Sequence, residues 1–469
     1  MVRVFSQYIS SKSIVLVALE CFIITLALLL AAKLRFWRDA QDTNFYFVPD
    51  FIAQIAICVI VLQICLYYSD FYDVRAVKRR EEQIICLGQS IGAACVFLAV
   101  VYYVFPALLM GRGAFLMSIL IVGGAVMISR LALDTAWRVA APVQNVVILG
   151  MGEYGLKVAN EISSRDDLNL RLSDMVAAGN EPDRGPTSLG ECAIPVLGRA
   201  ADIESIVSRH GITRIIVALD NLHGEPIQDL IRLRVQGLRV EHAHTTTAGL
   251  TGRIWLETVQ SSWFLFSTGF RRSRLILASK RAFDVLAGLA GLLISAPIMA
   301  LVAVAVRFDS PGPAIYRQTR VGFKGKVFEL LKFRSMRTDA EAGTGAQWAQ
   351  EHDPRVTRLG RTLRKYRLDE LPQFINVIRG DMSFVGPRPE RPMFVEELRK
   401  EIPYYDERHM VRPGLTGWAQ VEYQYGSTKE HACRKLEYDL FYLMNMTILF
   451  DCAIALKTIR ILLSGRGSR

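Results

Sequence analysis

Tyr366-Arg367-Leu368-Asp369-Glu370-Leu371-Pro372-Gln373-Phe374-Ile375-Asn376-Val377-Ile378-Arg379-Gly380-Asp381-Met382-Ser383-Phe384-Val385-Gly386-Pro387-Arg388-Pro389-Glu390 is the stretch around which the chain is organised. Two adjacent carboxylates, Asp369 and Glu370, stand among arginines, and a proline-bracketed arginine, Arg388, follows. An Asp-Glu dipeptide alone is ordinarily a surface pair. Here it is polar, multiply charged and downstream of a long apolar run, which points to chemistry on an anionic substrate at a membrane surface. A carboxylate inside a basic cleft can attack phosphorus, and a neighbouring carboxylate with Mg²⁺ can neutralise developing charge. Neighbours on a helix point about 100° apart, so Asp369 and Glu370 are expected to do different jobs.

Cations crowd the approach to these acids. Pro311-Gly312-Pro313 reads as a turn into a strand carrying Arg317 and Arg320, and Lys332, Arg334 and Arg337 follow. Arg358, Arg361, Arg364, Lys365 and Arg367 come next. The planar fork of arginine suits phosphate oxygens. Arg320, Lys332, Arg334, Arg367 and Arg388 are the predicted phosphate-binding cations. A solvated charge run is the usual alternative, but apolar residues and prolines alternate with these charges, which favours a folded site.

The rest of the chain is rich in apolar runs. Its 469 residues exceed one ordinary domain. It is 51% hydrophobic, with a net charge of +11. The mean hydropathy is +0.24 and the pI about 9.3. A basic balance fits lipid headgroups, nucleotide phosphates or nucleic acid, and the apolar runs favour lipid over nucleic acid. Ile14–Ala32, Phe51–Tyr68, Ile84–Phe105 and Ala114–Ile128 are each about long enough to span a bilayer, the last extendable to Leu133 across Arg130. The run from Ile14 is too long for a signal-peptide core. Arg75, Lys78, Arg79 and Arg80, with Arg130 and Arg138, place both ends of this four-helix unit inside. Lys33, Arg35 and Arg38, mixed with Asp39, Asp42 and Asp50, argue weakly against that orientation. Cys21, Cys58, Cys65, Cys86 and Cys95 lie in apolar runs, Cys192, Cys433 and Cys452 are scattered, and no CxxC pair suggests structural zinc.

A predicted α/β domain covers residues 141–268. It opens with the apolar strand Asn145–Leu149 running into Gly150-Met151-Gly152-Glu153-Tyr154-Gly155. Gly150, Gly152 and Gly155 would permit a tight turn and a phosphate at the helix N-terminus. Strands are expected at Ile212–Leu219 and Leu238–Val240, with helices at Ala201–Ser208 and Pro226–Val235 between them. The acid expected near the end of the second strand is not evident, Asp174 falling early and Asn180 late. Both a nucleotide site and a turn without ligand stay open. Trp255, Trp263, Phe264, Phe266 and Phe270, followed by Arg271, Arg272 and Arg274, read as a headgroup-level segment or a basic linker. Phe283–Val306 is apolar apart from Asp284 and Ser295, with Pro297 near its middle and Arg281 and Arg307 at its ends. Proline bends a helix, and positive charge at both ends suits a hairpin that returns to one face, with a straight span as the alternative.

Lys332-Phe333-Arg334-Ser335-Met336, Arg367-Leu368-Asp369-Glu370-Leu371-Pro372-Gln373, Asn376, Gly380-Asp381-Met382-Ser383, Val385-Gly386-Pro387-Arg388-Pro389-Glu390 and Arg412-Pro413-Gly414-Leu415-Thr416-Gly417-Trp418-Ala419-Gln420 resemble, in that order, the bacterial sugar transferases. These are polyprenyl-phosphate glycosyl-1-phosphate transferases. Residues 275–469 resemble their catalytic domain. The whole chain resembles the large members with four transmembrane helices and a Rossmann-like domain. Lys435–Tyr442 and Gly465-Arg466-Gly467 resemble the exopolysaccharide branch.

The resemblance implies a membrane protein in four parts: residues 1–135 as the four-helix transmembrane bundle, 141–268 as a Rossmann-like cytoplasmic domain, 269–308 as an interfacial linker and re-entrant helix, and 309–469 as an α/β monotopic catalytic domain. It implies transfer of a sugar 1-phosphate from a UDP-sugar to undecaprenyl phosphate at the bacterial cytoplasmic membrane, with release of UMP. Asp369 matches the nucleophile, Glu370 the partner acid tied to Mg²⁺, and Arg388 the arginine near the nucleotide-sugar phosphates. Arg281 and Asp284 match the start of the membrane hairpin, with Ser295 and Pro297 at its break. Glucose or galactose is the implied sugar, and a homodimer through the added domains is expected. The final segment Met446–Leu463, with Asp451, Lys457 and Arg460, is expected to lie at the interface. Two other classes compete. One is a membrane-bound NAD-dependent dehydratase or epimerase, for which no Tyr-Lys pair follows the glycine turn; the other is a non-enzymatic scaffold or nucleotide sensor.

Overall fold

The computed structural model describes residues 2–4, 7–9, 11–35, 49–68, 80–108, 112–140, 143–164, 170–178, 187–188, 193–194, 196–219, 227–257, 259, 264, 267, 269–270, 273–337, 353–423 and 428–464. The chain forms two compact units, one mainly Tyr8–Val217 with Gly224–Val240 and the other mainly Glu241–Arg469.

The first unit opens with α1 (Ser11–Arg35), α2 (Pro49–Tyr68), α3 (Arg80–Val104) and α4 (Arg112–Ala140). All four are long and apolar enough to cross a membrane. Ile24, Leu28, Cys58, Leu66, Leu98 and Val126 form their shared core, while Phe22, Phe97 and Leu120 stay exposed on the outer faces. An apolar outer surface of this kind is what a lipid environment requires. Glu20 on α1 is fully buried and accepts a hydrogen bond from Arg130 Nε on α4 at 2.7 Å. Arg130 is therefore an internal partner within the bundle rather than the flanking charge expected from sequence. Arg38, Asp39, Asp42, Arg75, Lys78 and Arg79 lie outside the described residues, as do the side chains of Arg80 and Arg138.

The same unit continues into a five-stranded sheet, β1 (Gln144–Leu149), β2 (Leu170–Ala177), β3 (Val196–Arg199), β4 (Arg214–Val217) and β5 (Arg239–His242). The order is β3-β2-β1-β4-β5, with β1 parallel to β2 and β4 and β2 parallel to β3. The helices between them are α5 (Glu153–Ser163), α6 (Ile203–His210) and α7 (Ile227–Val235). Gly150 has φ 112°, and a Cβ on Gly155 would lie 2.1 Å from Gly150 O. These glycines are thus required by a tight turn and a close strand–helix approach, whatever the turn binds. Asp174 sits within β2 opposite Val147, not at the strand end. Asn180 lies outside the described residues, as does Cys192.

The second unit begins earlier than the sequence suggested. Residues 243–257 and 259, expected in the Rossmann-like domain, pack into the C-terminal core. Ala248, Ile254, Leu256 and Val259 join Trp418, Leu436, Leu440, Phe441, Phe450 and Ile454. After α8 (Ala243–Thr251), Gly252 O accepts from Trp418 Nε1 at 2.7 Å and Arg253 pairs with Glu437 at 2.8 Å. These partners lie far along the chain, so local pattern could not reveal them. Phe264 and Phe270 also face protein, Phe264 lying 4.6 Å from the Tyr404 ring. Trp263, Phe266, Arg271 and Arg272 lie outside the described residues.

The long helix α9 spans Arg274–Asp309 with Pro297 inside it. It is long and apolar enough to cross a membrane. A straight helix of this length would be about 54 Å long. Yet both of its arms close on the same unit. Before the proline, Arg281 donates to Val377 O and Ile378 O, both at 2.7 Å, and Asp284 accepts from Ser383 Oγ and from Phe384 N at 3.0 Å. After it, Val302 and Val306 pack with Phe333 and Leu363. Ser295 Oγ donates back to Gly291 O at 2.6 Å, a bond that bends helices, two residues before a proline that removes a donor.

The remaining elements are β6 (Ile315–Val321), β7 (Val327–Phe333), α10 (Arg358–Lys365), a 3₁₀ turn at Leu368–Glu370, α11 (Gln373–Arg379), β8 (Ser383–Val385), α12 (Pro392–Glu401), a 3₁₀ turn at Tyr405–Met410, β9 (Gly414–Thr416), α13 (Trp418–Glu422), α14 (Lys429–Asn445) and α15 (Ile448–Ser464). β6 and β7 form an antiparallel hairpin, and β8 and β9 pair in parallel. In α15, Asp451 is fully buried and lies 2.6 Å from Lys280 Nζ, while Tyr442 OH donates to its other oxygen at 2.8 Å. Lys457 bonds Glu422. Asp451, one of the charges that suggested a headgroup-facing helix, is therefore used inside the protein, whereas the Lys457 side chain stays 39% exposed beside Glu422. Gly465-Arg466-Gly467 lies outside the described residues.

Candidate active site

Asp369 and Glu370 sit on a turn between α10 and α11. Arg367, just before it, adopts φ 52° and ψ 25°, a left-handed conformation that costs a non-glycine residue about 1–2 kcal/mol. It ends α10 and redirects the chain. Leu368 and Leu371 then pack against the cluster of Val302, Val306, Phe333 and Leu363. Between them, Asp369 and Glu370 are 7% and 8% exposed.

Their surroundings shift the two acids in opposite directions. Burial, then the charge of Glu370, push the Asp369 carboxyl above its usual range. Burial also acts on Glu370, but Arg388, Lys332 and Arg367 outweigh it and hold this carboxyl well below its usual range. Arg388 NH2 donates to Glu370 Oε1 at 2.5 Å. Burial and the charge of Arg320 lower Lys332 to about 8, while Glu370 and Asp369 act in the other direction. Arg364, lowered by burial, faces Asp369, and its Nε donates to Ser335 Oγ at 3.0 Å.

The motifs around this cluster have separable jobs. Asn376 is fully buried; its Oδ1 accepts from Leu331 N at 3.0 Å and its Nδ2 donates to Glu329 O at 2.7 Å. It thereby satisfies the free edge of β7 and ties α11 to the strand that carries Lys332. Arg281 donates to the last carbonyls of α11, a favourable place for a cation. Gly386, Gly414 and Gly417 meet backbone to backbone: a Cβ on Gly386 would lie 2.4 Å from Arg412 O, and one on Gly417 2.2 Å from Gly386 O.

Of the cations expected to bind phosphate, Lys332, Arg367 and Arg388 surround the two acids electrostatically. Arg320 touches the same field, but its NH1 donates to Pro389 O at 3.1 Å and its NH2 to Gln318 at 2.7 Å. Arg334 is placed elsewhere. Its guanidinium donates to Pro313 O at 2.7 Å, Ser310 O at 2.5 Å and Val306 O at 3.2 Å, capping the end of α9. Arg281, Asp284 and Ser295 act on α9 as described above. Gly150, Gly152 and Gly155 belong to the first unit. Sequence reasoning placed Arg364 among the cations crowding the acids but not among the phosphate ligands, and did not name Arg408. Arg364 stands five residues before Asp369, close enough in sequence to be marked with its neighbours; nothing local marks Arg408.

Among the described residues no group of three His, Cys, Asp or Glu side chains gathers as a metal site. Asp369 and Glu370 nonetheless suit a hard cation that takes one or two carboxylates and completes its shell with substrate phosphate oxygens.

Residues 68–241 match the family described as a CoA-binding domain. Residues 275–465 match the bacterial sugar transferase family. The chain is 40% identical over 250 residues to UDP-N-acetylgalactosamine-undecaprenyl-phosphate N-acetylgalactosaminephosphotransferase of Aeromonas hydrophila, covering 53% of this chain and 58% of that protein. It is 34% identical over 336 residues to undecaprenyl-phosphate glucose phosphotransferase of Komagataeibacter xylinus, covering 68% and 58%. Both matches thus span less than two thirds of those relatives. An exopolysaccharide production protein of Rhizobium leguminosarum bv. phaseoli is 42% identical over 191 residues, 39% of this chain and 94% of that protein. The chain belongs to the bacterial sugar transferase family.

Proposed function

We propose that this protein transfers a sugar 1-phosphate from a UDP-sugar to undecaprenyl phosphate and releases UMP. The observation that carries the reading is a buried carboxylate, Asp369, facing Lys332, Arg364 and Arg388 while its neighbour Glu370 is held ionised. An oxygen of Asp369 attacks the β-phosphorus of the UDP-sugar. The bridging P–O bond breaks, and UMP leaves with the bridging oxygen. The enzyme is left with an acyl phosphate that carries the sugar. A phosphate oxygen of the polyprenyl acceptor then attacks the same phosphorus, and the Asp369 carboxylate departs. The shift of Asp369 upward makes it the more basic, and hence the better nucleophile, of the two acids. Lys332, Arg367 and Arg388 would balance the diphosphate.

A divalent cation suits this chemistry, and we assign Mg²⁺ to Asp369 and Glu370. It would supply charge neutralisation at the diphosphate.

The four N-terminal helices make the chain a multi-pass protein of the cytoplasmic membrane. α9 is read as re-entrant, because both arms pack on one unit, and this puts the site at the cytoplasmic surface where UDP-sugar and lipid phosphate meet. The glycine turn of the first unit is read as a structural turn, and a homodimer through the first 270 residues is the proposed assembly.

The test is UMP release from a panel of UDP-sugars, with Mg²⁺, with and without undecaprenyl phosphate. Acceptor-dependent turnover with one sugar, lost in Asp369→Asn, supports the assignment and names the donor. No UMP from any sugar overturns it. A phosphosugar adduct on intact wild type, detected by mass and absent from Asp369→Asn, would confirm the covalent step.

A further inference from the structure

Pro387-Arg388-Pro389-Glu390 is a loop in which two residues have no N–H to give. It is held by its carbonyls instead. Pro387 O accepts from Gly414 N at 2.9 Å and Glu390 O from Val321 N at 2.9 Å. Pro389 O accepts from Arg320 NH1 at 3.1 Å, and Arg388 O accepts from Arg408 NH2 at 2.9 Å. Arg408 is thus the donor that fixes the backbone of the very residue whose guanidinium meets Glu370.

Arg408 is itself fixed. It is 5% exposed. Its NH1 donates to Tyr405 OH at 2.7 Å, its NH2 lies 2.8 Å from Asp439 Oδ2, and its guanidinium carbon sits 5.2 Å from the centre of the Tyr405 ring. Asp439, on α14, is 1% exposed. A buried ion pair of this kind is a poor device for stability alone, because desolvation offsets the attraction and an apolar pair does as well. An apolar pair could not donate to a carbonyl. What the arginine adds is an oriented charged donor, aimed at a loop of which two residues have no amide to give.

We propose that Arg408 is a positioning residue for sugar-phosphate transfer. Clamped by Asp439 and Tyr405, it sets the backbone of Arg388, and through it the placement of the Arg388 guanidinium against Glu370 and the donor's phosphates. Arg408 touches no reacting atom. The proposal rests on the reading of the preceding subsection.

The test is a double-mutant cycle on the full chain in nanodiscs. Binding of the UDP-sugar that wild type turns over is measured in the Asp369→Asn background, where chemistry is absent, for Arg408→Lys, Arg388→Ala and both together. Lysine keeps a charge for Asp439 but has no planar fork to reach three acceptors at once. Arg408→Lys is expected to weaken binding about tenfold, and to add less than about twofold once Arg388 is already alanine, because contacting residues do not act additively. In otherwise wild-type protein it should raise KM for the UDP-sugar more than it lowers kcat, with little change in Tm. Equal losses with and without Arg388, or a loss that follows a large fall in Tm, would overturn the proposal and make Arg408 a folding residue. No UMP release from wild type with any UDP-sugar would instead bring down the underlying reading, and the proposal with it.

Discussion

Gly291 and Phe374 lie so close that a Cβ on the glycine would come within 2.5 Å of Cε1 of the ring. The ring sits on α11, four residues after Glu370, and the glycine on the arm of α9 before its proline. Gly288, one turn earlier, is tight but less so: a Cβ there would lie 3.1 Å from Ile378 Cγ1 and 3.3 Å from Val377 Cγ1. The small residues of the apolar helix are therefore the socket for the helix that follows the two acids.

Gly291→Val should force the two helices apart. Overpacking of this kind costs about 1–3 kcal/mol, and a displacement near 1 Å at a reacting group can cost about a hundredfold in rate. UMP release should fall by at least about tenfold, with a lower melting temperature in detergent. Unchanged turnover would show that the membrane helix and the acids are independent.

Lys332 titrates at about 8, so its cation is present below that pH and lost above it. If it serves the diphosphate, UMP release should decline through about pH 8–9. Lys332→Arg should flatten that limb, since arginine stays charged. The stability effect has the opposite sign. Between about 8 and the ordinary 10.5, the unfolded chain holds a proton that the folded one has released, so this group favours the fold as pH rises. A melting temperature that holds or rises while the rate falls would separate titration from unfolding.

Asn376→Leu should leave Leu331 N and Glu329 O without their side-chain partner. A buried group left unsatisfied costs about 1–3 kcal/mol. The melting temperature should drop, and turnover should fall because β7 also carries Lys332. Asn376→Asp keeps the acceptor but loses the donor. Were both variants as stable as wild type, the clamp would be dispensable.

In the four-helix unit, Arg130→Leu leaves the buried Glu20 carboxylate without its partner, a loss of about 3–5 kcal/mol. The double variant Glu20→Leu, Arg130→Leu should recover most of it. Thermal melting in detergent reads the difference, and failure of the double variant to recover would mean the pair does more than pack α1 on α4.

The four apolar runs, the strand–glycine turn–helix and the cluster of acids and cations were legible because each is local. Periodicity marks helices, and glycine or proline marks turns. Three features were not. Residues 243–257 and 259 carry no mark of their place in the C-terminal core, because Trp418 and Glu437 supply it from far along the chain. Arg334 looked like a phosphate ligand from its neighbours in sequence, yet three carbonyls near the end of α9 take it. Asp451 and Arg130 looked like charges at a water boundary, whereas burial against Lys280 and Glu20 makes them internal. A charge in a sequence does not say whether its partner is water, ligand or protein, and that is what the fold decides.

The loop 387–390 bears on how choosy the site can be. Ordering a flexible residue costs about 1–2 kcal/mol, and here that ordering is complete as soon as the chain folds. If the proposed role of Arg388 holds, a diphosphate arriving there has little of this backbone left to organise. The same stiffness leaves it little room to adapt, so a diphosphate of slightly different length or bend meets a guanidinium that does not follow it. Discrimination among donors would then come from refusal to yield rather than from added contacts.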